Sequence, residues 1–336
     1  MQNPFPSDEP AIPSLVSTGD LPAAEAVVRR LTEAYDRYRS LDEGRVADYI
    51  PALADASPDL FGVCVVGAGG TVAEVGDSSY GFSIQSVSKP FVFALVCQSI
   101  GHETARERLG VNGTGLPFDS VMAVELNDDR TMNPMVNAGA IATTSLVPGA
   151  TAEEKWQFVL AGLSLFAGRD LSIDMDVYRS EAATNLRNRG IAHLLESYGR
   201  CYFDPDETTD VYTRQCSVGV TARDLAVMGA TLADGGVNPL TGVRVIDAQH
   251  CKRVLAVLAT AGLYERSGEW LYEIGLPGKS GVSGGIVTIA PGKGGLGVFS
   301  PPLDEAGNSV RGQRVTRYLS EALGLNLFAS APVVPG

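Results

Sequence analysis

A serine and a lysine three residues apart, Ser86 and Lys89, form the pair with the clearest chemical potential in the sequence. Pro90 follows at once, and proline is tolerated only in the first turn of a helix, so a helix is expected to begin close to Ser86. On that helix the lysine shares a face with the serine. A buried, neutral amine can accept the serine proton, and the helix dipole favours the alkoxide. The pair therefore predicts a serine nucleophile with a lysine partner.

The same spacing also fits a simpler role, in which the serine caps the helix and the lysine is solvated. Lysine usage favours the catalytic interpretation. The chain has five lysines against 21 arginines, and an arginine does not give up its proton in proteins. A lysine at position 89 is therefore expected to perform a task that arginine cannot.

A second lysine, Lys279, lies in the glycine-rich segment 278–285. This segment resembles the Lys-Thr-Gly strand that forms the other wall of the site in Ser-x-x-Lys enzymes, and its glycines would let backbone amides approach an oxyanion. A plain glycine-rich turn is the alternative. A match to the hydrolase nucleophile elbow at 281–285 fails because no histidine follows His250, and a match to a phosphate-binding loop fails because Glu273 replaces its first glycine.

Hydrophobic periodicity predicts the elements that must position these residues. They are a helix over 21–39, a hairpin of strands 62–66 and 71–75, helices over 156–166 and 222–232, strands over 284–290 and 295–300, and a helix near 315–323. This order predicts an α+β fold, an antiparallel sheet flanked by terminal helices with an inserted helical lobe. A cleft between two such lobes is a favoured location for an active site.

The expected domain covers residues 21–325. Within it we expect a sheet lobe of about 21–85 and 265–325 and a helical lobe of about 86–264. The proline-rich ends, 1–20 and 326–336, are expected to be loose.

Composition limits the partners and cofactors. With 45% hydrophobic residues, the 336-residue chain can bury a large core without disulfides or metals. A net charge of −13 would repel nucleic acid and anionic membranes, so the expected partner is a small molecule. The three histidines, His102, His193 and His250, are far apart, and the five cysteines form no CxxC pair. We therefore expect reduced thiols, no metal and no cofactor.

The N-terminus lacks the basic start and apolar core of an export signal. The longest apolar runs are well short of the roughly 20 residues that span a bilayer. These features predict a cytoplasmic protein that does not associate with membranes.

Seven short segments carry a family resemblance when they are taken together. In chain order they are ADYIP (47–51), QSVSK (85–89), NPMVNAGA (133–140), SE with RN (180–181, 187–188), YTRQCS (212–217), YERSG (264–268) and KSGVSGG (279–285). They resemble the serine-dependent glutaminase family, whose fold is similar to that of β-lactamases and penicillin-binding proteins. The resemblance extends over nearly the whole chain, from about residue 21 to residue 325.

The resemblance implies hydrolysis of L-glutamine to L-glutamate and ammonia through a γ-glutamyl ester on Ser86, with Lys89 and Tyr264 as candidate bases. It implies the following substrate contacts: Tyr49, Ser86, Asn137, Glu181, Asn188, Tyr212, Tyr264 and Val282. The backbone amides of Ser86 and Val282 would form the oxyanion hole. No cofactor is implied, and the family suggests a homodimer or homotetramer.

Glu181 is expected to bind the α-ammonium group of the substrate. It lies seven residues before Asn188, and on a single helix that spacing is two turns along one face. Each implied contact also has an ordinary structural alternative. The tyrosines could be core aromatics, the asparagines helix caps or turn residues, and Glu181 a surface charge.

Two other functions stay open. A β-lactamase or D-Ala-D-Ala peptidase would use the same serine and lysine chemistry, although such enzymes work outside the cytoplasm and require export. A catalytically silent amino-acid sensor would keep the pocket without turnover. Release of ammonia from glutamine discriminates among the three.

Overall fold

The computed structural model describes residues 19–48, 50–130 and 132–330. The strands in these ranges are β1 (Gly62–Gly67), β2 (Val72–Gly76), β3 (Phe82–Ser83), β4 (Gly219–Val220), β5 (Gly278–Ser280), β6 (Gly285–Ala290) and β7 (Gly294–Phe299). The α-helices are α1 (Ala24–Tyr38), α2 (Pro51–Ala54), α3 (Ser88–Ile100), α4 (His102–Leu109), α5 (Met122–Glu125), α6 (Asn137–Ser145), α7 (Ala152–Ala167), α8 (Met175–Thr184), α9 (Leu186–Ser197), α10 (Pro205–Cys216), α11 (Ala222–Ala233), α12 (Ala248–Ala261), α13 (Ser267–Ile274) and α14 (Val310–Ala322). Short 3₁₀ helices occur at Gln85–Val87 and Tyr264–Arg266.

The main sheet has the strand order β2-β1-β7-β6-β5, and every neighbouring pair is antiparallel. The early hairpin joins the late strands through β1 and β7, with Gly62 opposite Phe299. The sheet is therefore built from the two ends of the domain, and the helical segment between them is an insertion. A small second sheet pairs β3 with β4 and ties this insertion to the segment before the 3₁₀ helix at 85–87.

Both faces of the main sheet are covered by helices. Val63 and Val65 of β1 pack in one core with residues of α1 and α14, and the alternate residues Cys64 and Val66 pack against α11. This alternation follows from the period of two along a strand. All six residues of β1 are buried, as expected for a strand that is covered on both sides.

The inserted helices are arranged around α3. Every residue from Ser88 to Cys97 is buried, and α4, α6, α7 and α12 all contact this helix. A helix that is apolar on all sides belongs in the centre of a lobe rather than on its surface. This central position places the residues at the start of α3 deep inside the molecule.

The predicted α+β arrangement is confirmed: an antiparallel sheet, terminal helices on one face and helices inserted in between. The final helix begins at Val310 rather than near 315, because Ser309 caps it by accepting a hydrogen bond from the Gly312 amide. The division into lobes stays a prediction, and α11, from the predicted helical lobe, packs directly on the sheet. Residues 1–18 and 331–336 of the predicted loose ends lie outside the described residues.

The described part of the chain bears on two expectations, one about membrane-spanning helices and one about the cysteines. No helix in it combines the length and apolar character needed to cross a bilayer. None of the five cysteines is in a disulfide; four of them are buried and Cys201 is partly buried.

The contact of α11 with β7 gives a first testable prediction. A Cβ added at Gly297 would lie 1.9 Å from the carbonyl oxygen of Ala222, so Gly297→Ala must push the helix off the sheet. Overpacking of this kind is expected to lower the free energy of unfolding by about 1–3 kcal/mol, measurable by urea denaturation. The control is Gly69→Ala, because Gly69 lies in the exposed turn between β1 and β2 with no heavy atom within 4 Å of its added Cβ. Equal stability of the two variants would contradict the prediction.

Candidate active site

Ser86 lies at the entry to the central helix. It occupies the short 3₁₀ helix 85–87, which continues directly into α3, so the expected helix start beside Ser86 is confirmed. Gln85, just before it, has a φ of +49°, a conformation that a residue with a side chain seldom adopts. Ser86 itself is only 8% exposed, and its accessible part lines a cavity. The strained backbone at Gln85 thus directs the chain into the helix with Ser86 at the edge of that cavity.

Lys89 is fully buried, one turn into the same helix. Its Nζ donates to Oδ1 of Asn137 at 2.7 Å and to the carbonyl oxygen of Met135 at 3.3 Å. Burial lowers the pKa of Lys89 to about 8. A substantial fraction of this amine is therefore neutral near physiological pH, as a proton acceptor requires.

Asn137 connects Lys89 to two further polar residues. At the first position of α6, its Oδ1 accepts from the Lys89 amine and from the Tyr212 hydroxyl at 3.4 Å. Its Nδ2 donates to Oδ1 of Asn188 at 3.1 Å. One side chain thus joins residues from α3, α9 and α10 in a single network. The directions of these hydrogen bonds fix which atom of the Asn137 amide faces the lysine.

Glu181 is a buried carboxylic acid on α8, 8% exposed. Burial raises its pKa to about 7, although a hydrogen bond from Nε2 of Gln85 at 3.3 Å opposes that shift. A carboxylate on the protein surface would be solvated and exposed. The alternative interpretation, in which Glu181 is a surface charge, is therefore wrong. A cationic ligand placed beside it would favour the charged carboxylate.

Glu181 and Asn188 do not share one helix, as the sequence had suggested. α8 ends at Thr184 and α9 begins at Leu186, with Asn185 between them. Both residues still line the same cavity because the chain turns at Asn185. Asn185 is buried, and its Nδ2 donates to the hydroxyl of Thr213 at 3.1 Å, which anchors the turn on α10.

Tyr264 approaches Ser86 from the opposite wall. It has a φ of +57°, is 8% exposed, and its hydroxyl donates to the carbonyl oxygen of Ser280 at 3.1 Å. Burial raises its pKa, whereas a hydrogen bond with the Ser86 side chain opposes the shift. The ring of Phe118 packs on Tyr264 with centroids 4.6 Å apart. The phenol is therefore held in contact with the candidate nucleophile.

Lys279 stands behind Tyr264 on β5. Its Nζ lies 4.3 Å from the centroid of the Tyr264 ring and donates to the carbonyl oxygen of Ser280 at 2.8 Å. Burial lowers the pKa of Lys279 well below its usual value, and the nearby Lys89 lowers it further. Segment 278–285 thus contributes a strand, not only a turn, to this wall. Glycine at position 281 allows a close approach, because an added Cβ would lie 3.1 Å from the Ile84 carbonyl oxygen and the neighbouring segment would have to shift slightly.

The cavity that these residues form has a volume of about 410 Å³. Six of the residues implied by the resemblance line it: Ser86, Asn137, Glu181, Asn188, Tyr212 and Val282. Lys89 adjoins this set through Asn137, and Tyr264 adjoins it through Ser86. Tyr49 lies outside the described residues. The structure therefore brings the described members of the set together.

Sequence reasoning missed several residues that line the same cavity. They are Ile50, Gln85, Phe118, Asp119, Thr184, Asn185, Arg187 and Cys216. Four of these residues, Ile50, Gln85, Arg187 and Cys216, lie within the motifs that carry the family resemblance, so their closeness in the sequence to the implied contacts was the available signal. Phe118 and Asp119 belong to no such motif. Their presence depends on contacts between segments that are distant in the sequence.

The structure changes two interpretations of the sequence, one about the rare lysines and one about the separation of the histidines. Lys155 and Lys293 are buried as well and donate to backbone carbonyls, so a buried lysine in this chain is not by itself a sign of catalysis. His102 and His250 are in contact, with ring centroids 5.5 Å apart, although they are far apart in the sequence. Among the described residues, no group of three or more histidine, cysteine or acidic side chains could hold a metal ion.

Comparison with known proteins gives a consistent result. A family model described as Glutaminase matches residues 44–328. The chain is 60% identical over 317 residues to Glutaminase 2 of Yersinia pestis, covering 94% of this chain and 93% of that protein. It is 49% identical over 308 residues to a glutaminase of Brucella canis, and the match covers 92% of this chain and 97% of that protein. A solved structure of a probable glutaminase, 46% identical, superposes with a TM-score of 0.91 over 92% of this chain and 100% of the other.

The fold shared with these structures is the β-lactamase-like α+β fold, an antiparallel sheet with a helical insertion. At these levels of identity and coverage the similarity extends beyond the fold. The chain belongs to the glutaminase family.

The burial of Lys89 gives a second prediction. Its pKa of about 8 in the folded chain lies below that of an unfolded lysine, about 10.4. Between these values the unfolded chain binds more protons, so the free energy of unfolding rises with pH. Lys89→Met is expected to remove the contribution of Lys89 to this rise, up to about 1.4 kcal/mol per pH unit, in urea denaturation between pH 8 and pH 10.

The matched control is Lys252→Met, because Lys252 is exposed on α12. That variant is expected to keep the wild-type dependence of stability on pH. If Lys89→Met keeps it as well, then Lys89 is not the buried, readily deprotonated amine that the structure indicates.

Proposed function

We propose that this protein hydrolyses L-glutamine to L-glutamate and ammonia through a γ-glutamyl ester on Ser86. The observation that carries the proposal is one cavity that combines a candidate nucleophile, a buried carboxylic acid and several amide and phenol groups. A free amino acid carries a cation, an anion and, in glutamine, an amide, and this cavity offers a complementary group for each. A relative of known structure, Mglu, with a TM-score of 0.84 and 39% identity over 93% of this chain, is described in its glutamate form.

In the first half of the proposed reaction, the Ser86 Oγ attacks the side-chain amide carbon of glutamine. The serine proton passes to Lys89 or Tyr264, and from there to the departing nitrogen, which leaves as ammonia. The backbone amides of Ser86 and Val282 would stabilise the charge that develops on the carbonyl oxygen. The product of this half is glutamate bound through an ester to Ser86.

In the second half, water attacks the ester carbon and the same base accepts a proton from it. The bond to Ser86 breaks, the serine regains its proton, and glutamate is released. Lys89 has the lowered pKa that suits a base, whereas Tyr264 is the group in contact with Ser86. Both therefore remain candidates, and a variant that separates them is described below.

For substrate binding we assign Glu181 to the α-ammonium group. Asn137, Asn188 and Tyr212 are assigned to the α-carboxylate and neighbouring polar atoms, together with Tyr49. Because the Glu181 acid is buried, its ionised form gains most from a nearby cation. A ligand without an ammonium group would leave this acid uncompensated or protonated, so the site is expected to select free amino acids.

Two features of the proposal extend the family assignment and remain predictions, namely a cytoplasmic location and a homodimer or homotetramer. Sedimentation analysis of the purified protein tests the second. The alternative functions are tested by one assay of ammonia release from glutamine and asparagine, run beside hydrolysis of a chromogenic β-lactam. Turnover of the β-lactam alone would favour a β-lactamase-type hydrolase, and binding of glutamine without turnover would favour a sensor.

Substitution of the proposed nucleophile is the direct test of the mechanism. Ser86→Ala is expected to lower kcat/KM for glutamine at least about a thousandfold, since no other serine or threonine in the sequence is followed by a lysine three residues later. Ammonia release measures the activity, and circular dichroism checks the fold. The control is Ser99→Ala, an exposed serine on the same helix α3, which is expected to stay active. Residual turnover of more than a few per cent in Ser86→Ala would place the nucleophile elsewhere.

A companion variant, Lys89→Arg, separates the two candidate bases. Arginine keeps the positive charge and the approximate length but does not release its proton. If Lys89 is the base, this variant is nearly as inactive as Ser86→Ala. If activity persists, Lys89 acts through its charge alone and Tyr264 is the base.

The role of Glu181 gives a fourth prediction. Glu181→Gln keeps the shape but loses the charge, so kcat/KM for glutamine is expected to fall at least about tenfold, equivalent to 1.4 kcal/mol. The preference for glutamine over N-acetylglutamine, which has no ammonium group, is expected to narrow. The control is Glu103→Gln, an exposed acid on α4. Unchanged activity and preference in Glu181→Gln would remove the assignment.

The same residues determine the expected pH dependence. Glu181 must be ionised to bind the ammonium group, and its pKa is raised to about 7; if Lys89 is the base it must be neutral, and its pKa is lowered to about 8. Both requirements make kcat/KM fall as the pH decreases below these values. In Glu181→Gln only the decline due to Lys89 is expected to remain, so the slope of the acid limb becomes shallower.

A further inference from the structure

The carbonyl group of Gln85 is held by the side chain of a buried serine. The Oγ of Ser88 donates to this carbonyl oxygen at 2.8 Å, and the backbone amide of Ser88 donates to the same oxygen. Ser88 is the first residue of α3 and is fully buried. It is not among the residues that line the cavity beside Ser86, so its hydroxyl has no direct contact with a substrate there.

A glutamine from another helix completes the hydrogen bonding of Ser88. The Nε2 of Gln215, on α10, donates to Ser88 Oγ at 2.9 Å, and Gln215 is buried as well. Ser88 has one hydroxyl proton and gives it to Gln85, so the partner of its oxygen must be a donor. This requirement turns the nitrogen of the Gln215 amide toward Ser88. Gln215, Ser88 and the Gln85 carbonyl therefore form one buried relay of hydrogen bonds.

The other end of the Gln215 amide contacts α6. The Thr144 hydroxyl lies 3.2 Å from Gln215 Oε1 and 3.0 Å from the carbonyl oxygen of Ala140, so its one proton is shared between two acceptors. Helix α6 begins at Asn137, which accepts a hydrogen bond from the Lys89 amine. One helix thus supports both the lysine of the site and the relay.

The position of the Gln85 carbonyl determines the direction of the Ser86 amide. These two groups belong to one planar, trans peptide unit, so the C=O and N–H bonds point in opposite directions. Gln85 has a φ of +49°, which intrinsic backbone preferences do not favour, so contacts around this peptide unit must hold it in place. The Ser88 hydroxyl is such a contact. It therefore acts on the amide that is one of the two proposed donors to the oxyanion.

We propose that Ser88 and Gln215 are positioning residues for the oxyanion hole. Gln215 orients the Ser88 hydroxyl, this hydroxyl holds the Gln85 carbonyl, and the Ser86 amide is thereby directed at the developing charge on the substrate oxygen. The inference depends on the proposed function, because the Ser86 amide has this task only if Ser86 forms the γ-glutamyl ester. Neither positioning residue touches the substrate, so their effect is expected in kcat and not in KM.

The first experiment removes the hydroxyl that contacts the peptide unit. Ser88→Ala is expected to lower kcat and kcat/KM for glutamine together, about tenfold, while KM stays within about twofold of the wild-type value. Complete loss of an oxyanion donor lowers kcat by about 10²–10³, and here the amide is loosened and not removed. Ammonia release over a range of glutamine concentrations separates kcat from KM.

The matched control is Ser320→Ala, which removes the same kind of bond elsewhere. Ser320, on α14, is fully buried, and its Oγ donates to the carbonyl oxygen of Ile274 at 2.6 Å. Both variants lose one buried serine-to-carbonyl bond, so both are expected to be less stable to urea. Only Ser88→Ala is expected to lose kcat. An equal fall of kcat in Ser320→Ala would trace the effect to stability alone and overturn the inference.

The second experiment tests whether Gln215 acts through Ser88. Gln215→Leu is expected to lower kcat about threefold, the effect of one ordinary hydrogen bond. The double variant Ser88→Ala/Gln215→Leu is expected to have the kcat of Ser88→Ala, because both changes interrupt the same relay. If the two losses of kcat multiply, or if Gln215→Leu keeps the wild-type kcat, then Gln215 is not a positioning residue of this relay.

The double variant also protects the test against a failure to fold. Ser88→Ala leaves the Gln215 amide without its acceptor, whereas the double variant removes both polar partners and leaves no buried donor unpaired. A kcat within about twofold of the wild-type value in Ser88→Ala, or in the double variant if the single variant does not fold, overturns the inference and leaves the proposed function intact. A wild-type protein that releases no ammonia from glutamine contradicts both.

Discussion

The burial of the Lys89 amine is the constraint on which the rest of the site depends. Taking a charged ammonium group out of water costs several kcal/mol unless it is neutralised or well paired. In the described part of the chain, the amine donates hydrogen bonds to one amide oxygen, Asn137 Oδ1, and to one backbone carbonyl, and to no carboxylate. This environment favours the neutral form, and it exists only because α3 is apolar on every side and lies at the centre of its lobe. The packing of apolar side chains around α3 thus determines the protonation state of the Lys89 amine.

Two residues with strained backbones face each other across the site. Gln85 and Tyr264 both have positive φ values, and each begins a short 3₁₀ helix that leads into an α-helix. Such conformations cost on the order of 1–3 kcal/mol each and persist where the surrounding structure holds them. The glycine at position 281 allows the wall of Tyr264 to approach the wall of Gln85 closely. The strain therefore lies at the two points that determine the distance between the serine and the tyrosine.

Hydrophobic patterns over short stretches of the sequence were sufficient to predict many of the helices and strands. The hairpin β1–β2 and helices α7 and α11 were predicted nearly within their observed bounds, because alternation and helical spacing report local burial. β5 escaped a direct prediction because its three residues, Gly278–Ser280, include no β-branched or aromatic side chain. The break between α8 and α9 was also missed, since neither Gly nor Pro marks it and it depends on the bond from Asn185 to Thr213.

Less of the candidate site than of the fold could be predicted from local sequence patterns. Ser86 and Lys89 could be recognised from their spacing alone, whereas Glu181, Asn188 and Val282 depended on the family resemblance. No local pattern could have indicated Phe118, because its contact with Tyr264 joins segments almost 150 residues apart. The pKa values of Lys89 and Glu181 are likewise properties of burial, which only the assembled lobes create.

The pairing of β1 with β7 has a consequence for how the protein is made. β1 leaves the ribosome well before its partner β7, which emerges more than 200 residues later. Until then the hairpin has an open edge, and the helices of the insertion must collapse around α3 without the sheet that borders them. Such non-local pairing slows folding and exposes an unpaired strand to other chains. Tyr264, Lys279 and Val282 are translated after the helices of the insertion, so a nascent chain lacks one wall of the candidate site until these residues have emerged.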